Sequence, residues 1–89
     1  MPRIRFTSNL ARHLAAPELT AEGGTVREAL DDALADEALL RSYVLDEQGR
    51  LRRHVTIFLD GAMITDRRGL SDAVTRDTEI YVLQALSGG

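Results

Sequence analysis

The 89-residue chain contains no cysteine and no lysine. Without cysteine there can be no disulfide, iron–sulfur cluster, thiolate zinc site or cysteine nucleophile. Any sulfur chemistry has to run through something other than a side-chain thiol. All eleven basic residues are arginine, which removes Schiff-base chemistry, the lysine of a phosphate-binding loop, and side-chain amines for isopeptide linkage. GC-rich coding accounts for this arginine-only usage, and the many Ala and Leu suit it. Fourteen acids against eleven arginines give a formal charge of −3, the wrong sign for a general nucleic-acid binder. No apolar stretch approaches the roughly 18 residues that a membrane span requires, and Arg3 and Arg5 precede no apolar leader. No membrane association is expected, and a cytoplasmic location is the default.

What is present is ordinary in amount. The chain is 44% hydrophobic and 28% charged, as soluble globular domains are, and its length suits one hydrophobic core. Arg3-Ile4-Arg5-Phe6-Thr7 alternates polar and apolar residues, which predicts a first strand with Ile4 and Phe6 buried. After a loop in which Leu10 and Leu14 can cover the end of the core, Glu18 to Glu22 alternates again and stops at Gly23-Gly24. These two segments read as an irregular hairpin.

Thr25 followed three residues later by Glu28 is a capping pattern, so a helix starts here. Val26, Ala29, Leu30, Ala33 and Leu34 form one apolar stripe, with Arg27, Glu28, Asp31 and Asp32 on the other side. Asp36 to Tyr43 adds a short helical turn around Leu39 and Leu40, and 46–50 is a turn. His54 to Leu59 alternates into Asp60-Gly61, a strong hairpin signal, with Met63 and Ile64 in a return strand. Asp66 to Gly69 is a surface turn, and Leu70 plugs the core. Glu79 to Leu86 is apolar on both faces, as a central strand is. This order places the first and last strands in one sheet with the helix across one face. The expected class is α+β, a β-grasp with a mixed sheet of four to five strands and one main helix, occupying 1–86 and followed by a flexible Ser-Gly-Gly tail at 87–89.

The chemistry falls on that tail. Gly88 and Gly89 have no Cβ and accept most backbone angles, so they can thread a channel too narrow for any side chain. The group delivered is the carboxylate of Gly89, which has a pKa of about 3.5 and is a poor electrophile while ionised. The chain has no phosphate-binding loop of its own, so ATP-driven activation must come from a partner. The activated acyl group can then accept sulfur or an amine, and both outcomes use the same tail.

The helix start Thr25-Val26-Arg27-Glu28-Ala29-Leu30, the strand and turn Ile57-Phe58-Leu59-Asp60-Gly61, the Gly69-Leu70 plug and the last strand into Gly88-Gly89 together resemble the MoaD/ThiS family of ubiquitin-like sulfur carriers. The resemblance covers nearly the whole chain. Leu51 to Phe58, after a long turn, is most similar to the cysteine-biosynthesis carriers within it. Gln84-Ala85-Leu86-Ser87 stands where many members carry proline-containing or Val-Ala segments, and Arg76-Asp77 where Gly-Asp is common. Neither touches the glycines. The resemblance implies a carrier rather than an enzyme, with no bound cofactor. It implies adenylation of Gly89 by an E1-like adenylyltransferase that uses ATP and Mg, and conversion to a thiocarboxylate by a persulfide or sulfide donor. Sulfur then passes to a synthase in molybdopterin, thiamine or cysteine biosynthesis.

Two further readings rest on the residues. If Ile80 and Val82 face the helix, Tyr81 and Leu83 lie on the opposite face with Phe58 beside them, an apolar patch suited to partner docking. A ubiquitin-like modifier, conjugated through Gly89 to lysines of other proteins, fits the same tail, and a β-grasp interaction module with incidental glycines is a third possibility. His13 and His54 have no partners at metal-ligand spacing. The acidic pairs Asp31-Asp32 and Asp36-Glu37 read as solvated helix positions, and Arg50, Arg52 and Arg53 as a solvated strand edge, with steering of an acidic partner as the alternative.

Overall fold

The computed structural model describes residues 1–7, 10 and 18–84. Five strands form one sheet: β1 (Arg3–Phe6), β2 (Glu18–Thr20), β3 (Val55–Leu59), β4 (Ala62–Met63) and β5 (Glu79–Gln84), in the order β2-β1-β5-β3-β4. The last strand is central, as its apolar composition predicts. It pairs parallel with β1, Arg3 opposite Glu79 through Phe6 opposite Val82, and antiparallel with β3, Val55 opposite Gln84 through Leu59 opposite Ile80.

One apolar face of this sheet is covered. Ile4, Phe6, Val55, Ile57, Ile80 and Val82 alternate along their strands onto the same side and are buried in one cluster. Helix α1 (Val26–Ala33) contributes Val26, Ala29 and Leu30 to the cluster, and Leu34 just beyond it joins them. Thr25 caps the helix: its Oγ1 accepts from the Glu28 amide at 3.2 Å. The reciprocal arm falls one residue earlier than the capping pattern predicts, because Glu28 Oε1 accepts from the Gly24 amide at 2.7 Å. Gly23 is set by close approach, since a Cβ there would lie 2.6 Å from Glu28 Cβ and 2.8 Å from the Ala29 nitrogen.

The expected helical turn at 36–43 is a complete short helix, α2 (Ala38–Val44), with Leu40 and Val44 buried and Leu39 turned out. It starts at Glu37 without a side-chain cap, so it has no local start signal, and burial of Leu40 and Val44 holds it. The two carboxylates of Asp31-Asp32 go to different partners. Asp31 takes Arg41 at 2.9 Å, whereas Asp32 accepts from the Glu22 amide at 2.9 Å.

The hairpin between β3 and β4 turns on Asp60 (φ 50°) and Gly61 (φ 90°), two positive angles in succession as a tight primed turn demands. Leu70 is fully buried and also has positive φ, 54°. The chain reverses around it on a carboxylate knot. Asp66 accepts from the Ser71 hydroxyl at 2.6 Å and the Gly69 amide at 2.9 Å. Asp72 accepts from the amides of Asp66 (2.9 Å) and Thr65 (3.0 Å). What reads in sequence as a surface turn is therefore an organised loop.

These bonds favour the ionised carboxyls. The Ser71 hydroxyl and Gly69 amide hold Asp66 at a pKa of about 2, against an ordinary 3.8, and the Asp66 and Thr65 amides hold Asp72 below its ordinary value. Lowered folded-state pKa values contribute stability that is complete above about pH 4 and is lost as pH falls from there through about 2. Chemical denaturation at a series of pH values should show this acid-side loss, and Asp66→Asn should flatten it. An unchanged pH slope in the variant would contradict the knot's role.

Candidate docking face and the root of the tail

Among the described residues, no helix element packs on the second face of the sheet. By alternation it presents Arg3 and Arg5 from β1, Phe58 from β3, Met63 from β4, and Glu79, Tyr81 and Leu83 from β5. The register sets Phe58 directly between Tyr81 and Met63, and Leu83 opposite Thr56. The three residues expected to form a patch, Phe58, Tyr81 and Leu83, therefore line one shallow depression of about 610 Å³, with Arg5, Asp60 and Glu79 among the rest of its lining. Tyr81 is 39% exposed and Met63 59%.

The depression has two sides of different character. Toward β1, Arg5 lies 3.4 Å from Glu79 and 3.9 Å from Glu18, and Arg3 lies 3.6 Å from Glu79. Such exposed pairs contribute little to stability, but they tie up the charges there. Toward β3 and β4 the surface is apolar. Asp60 closes the far end, its Oδ1 accepting from the Glu79 amide at 2.9 Å. Arg5, Glu79 and Met63 are not predicted as site residues. Strand alternation does assign their faces, but the register that sets Arg3 opposite Glu79 and Arg5 opposite Tyr81 is a tertiary fact that local patterning does not contain.

The central strand is held to its last described residue. The Thr7 amide donates to the Val82 carbonyl at 3.1 Å and the Gln84 amide to Thr7 Oγ1 at 3.3 Å, while β3 pairs along the other side. Gly88 and Gly89, like Ser87 and His13, lie outside the described residues. Gly89 is five residues beyond Gln84, a span of at most ~18 Å. His54 is exposed, and no group of three His, Cys, Asp or Glu side chains that could hold a metal exists among the described residues. No helix among them is long and apolar enough to cross a membrane.

A five-stranded mixed sheet with parallel first and last strands, and a helix packed over one face after the first hairpin, is the β-grasp, the ubiquitin-like class of α+β fold. No protein-family model matches the chain, and no curated protein matches it. Solved structures do. A chain of the Amycolatopsis orientalis BexX/CysO complex superposes with a TM-score of 0.85 at 22% identity, covering 100% of both chains. CysO of Mycobacterium tuberculosis gives 0.81 at 20% identity over 97% of this chain and 100% of that one. The small archaeal modifier protein 1 of Methanosarcina acetivorans gives 0.82 at 24% identity over 99% of this chain and 95% of that one. At these identities the likeness is one of fold, and it extends over the whole length.

Proposed function

We propose that this protein is a ubiquitin-like sulfur carrier, a co-substrate rather than an enzyme, with Gly89 as the residue that is activated. An E1-like adenylyltransferase docks on the helix-free face through Phe58, Tyr81 and Leu83. A carboxylate oxygen of Gly89 attacks the α-phosphorus of ATP, with Mg on the partner, and pyrophosphate leaves. Sulfide attack on the acyl carbon expels AMP and leaves a thiocarboxylate; a persulfide donor gives an acyl disulfide, which a reducing thiol cleaves to the same product. A synthase then takes the sulfur. Under this reading 1–86 is the carrier domain and 87–89 the working tail.

The observation that carries the proposal is the joining of two features on one strand. β5 supplies Tyr81 and Leu83 to an exposed apolar depression, and the same strand leads within five residues to Gly88-Gly89. A partner seated on the depression lies within reach of the tail. The fold likeness to CysO, which one solved structure pairs with BexX, supports a carrier of this kind. A modifier attached through Gly89 to lysines of other proteins uses the same face and tail, and the likeness to small archaeal modifier proteins favours keeping it as the second reading. Having no lysine, the chain could not form lysine-linked polymers of itself.

The test is ATP–pyrophosphate exchange with the E1-like adenylyltransferase of the same organism. Leu83→Asp places a charge in the apolar lining of the docking face and should weaken activation about 30-fold, the loss of a hot-spot contact of ~2 kcal/mol, with the melting temperature retained. Exchange at the native rate by this variant would contradict the docking assignment.

A further inference from the structure

A second surface adjoins the root of the tail. The antiparallel register that sets Val55 opposite Gln84 brings the residues before β3 beside the point where the chain leaves β5. The Leu51 amide donates to the Arg67 carbonyl at 3.4 Å, and the Arg67 guanidinium donates to the Arg52 carbonyl at 3.0 Å. Two arginine-rich segments distant in sequence, 50–53 and 67–68, are thereby joined at one end of the sheet. Arg50, Arg53, Arg67 and Arg68 line an open basin of about 450 Å³ with Asp46 and Leu51. Arg53 and Arg67 also line a shallow groove that runs to Leu83 and Gln84. Since Leu83 is shared with the apolar depression, docking face, tail root and basin form one continuous surface.

The charges in the basin are largely unspent. Among the described residues, Asp46 alone forms an ion pair with any of these arginines, to Arg50 at 3.6 Å. Asp66, next to Arg67, directs its carboxylate to the Gly69 and Arg68 amides and the Ser71 hydroxyl. Arg52 donates to the Ser42 carbonyl. The side chains of Arg53 and Arg68 make no hydrogen bond or ion pair among the described residues. In a chain of net charge −3, such a concentration of free cations creates a local field opposite in sign to that of the molecule.

We propose that this arginine basin receives an acidic surface of the enzyme that activates the tail, steering the carrier onto it with the tail root foremost. The inference rests on the carrier reading and specifies the partner's chemistry at a second point of contact. An acidic surface is drawn to this end and repelled by the net negative remainder, so encounter is oriented before the apolar face is seated. The basin is open, and Arg53 and Arg68 are exposed on its rim, an arrangement that meets an extended surface rather than enclosing a single small anion. The same net charge opposes a nucleic-acid polyanion.

Stopped-flow association with the E1-like adenylyltransferase of the same organism, at low and high salt, tests this. The variant is R53E/R68E, chosen because neither side chain supports the fold, with R53K/R68K as the charge-preserving control. The association rate constant of R53E/R68E should fall about tenfold at low salt and lose the salt dependence that wild type and R53K/R68K both show, while exchange at saturating carrier stays unchanged. Equal association rates and equal salt slopes in wild type and R53E/R68E would overturn the proposal. If Leu83→Asp still blocks exchange in that case, the carrier reading survives. Absence of exchange with wild type overturns both. Self-association of wild type that R53E/R68E abolishes would assign the basin to a second copy of this chain and overturn the proposal equally.

Discussion

Deleting Gly89 abolishes ATP-dependent activation and leaves the melting temperature where it was: that is the largest effect the account predicts. Among the described residues the last member of the buried cluster is Val82 on β5, and the deletion removes none of the cluster's described members. The deletion leaves a terminal carboxylate, but one set back by ~3.5 Å, a residue's length. Attack on a phosphorus held in a partner's site depends on placement to within about 1 Å, and misplacement on that scale costs on the order of 100-fold. Gly88→Val separates position from width. It keeps the carboxylate at residue 89 and adds a branched Cβ that a channel fitted to glycine excludes, so its exchange rate should also fall by about 100-fold or more. A Gly88→Val chain activated at the native rate would remove the narrow-channel argument, and a Gly89-deleted chain so activated would remove Gly89 as the reacting residue.

The second large effect is on stability, at Leu70. This side chain is fully buried yet sits at φ 54°, where a residue with a Cβ is strained. Its amide donates to the Asp66 carbonyl at 3.1 Å and its carbonyl accepts from the Arg27 amide at 2.9 Å, which locks the conformation between the Asp66 knot and the first turn of α1. Leu70→Ala removes the plug and should cost ~2–5 kcal/mol, a fall in melting temperature of about 8 °C at the least for a domain of this size. Leu70→Gly removes the same burial but releases the left-handed strain of about 1 kcal/mol. Glycine should therefore be no worse than alanine here, the reverse of their usual order. Thermal unfolding of the two variants decides it, and a glycine variant clearly less stable than the alanine one would contradict the strained-plug account.

Much of this architecture is legible in the sequence wherever the cause is local. Ile4 and Phe6, and Val55 and Ile57, declare their strands by alternation, Thr25 and Glu28 announce α1, and Asp60-Gly61 makes the hairpin that its backbone chemistry dictates. Leu70 is readable as a plug because an isolated Leu between a glycine turn and polar residues has nowhere else to go. The central place of β5 follows from its apolar character on both faces, and from that the grouping of Phe58, Tyr81 and Leu83. What was not legible depends on contacts between distant segments. α2 lacks a cap, so nothing local marks its start or its length. The Asp66 carboxylate looks like any surface turn acid until Ser71 and Gly69 are folded back onto it. Arg50, Arg52 and Arg53 read as a solvated strand edge; they precede β3 and meet Arg67 and Arg68 through two tertiary bonds, the Leu51 amide to the Arg67 carbonyl and the Arg67 guanidinium to the Arg52 carbonyl.

The measurement that tests the central claim most directly is the intact mass of the protein incubated with its E1-like adenylyltransferase, ATP, Mg and sulfide, followed by fragmentation of the terminal peptide. The account predicts a gain equal to replacing one oxygen by sulfur, confined to Gly89 and absent without ATP. An unchanged mass in the presence of an adenylyltransferase that exchanges pyrophosphate with this chain would contradict the sulfur-carrier assignment, and adducts through Gly89 to lysines of other proteins would establish the modifier in its place.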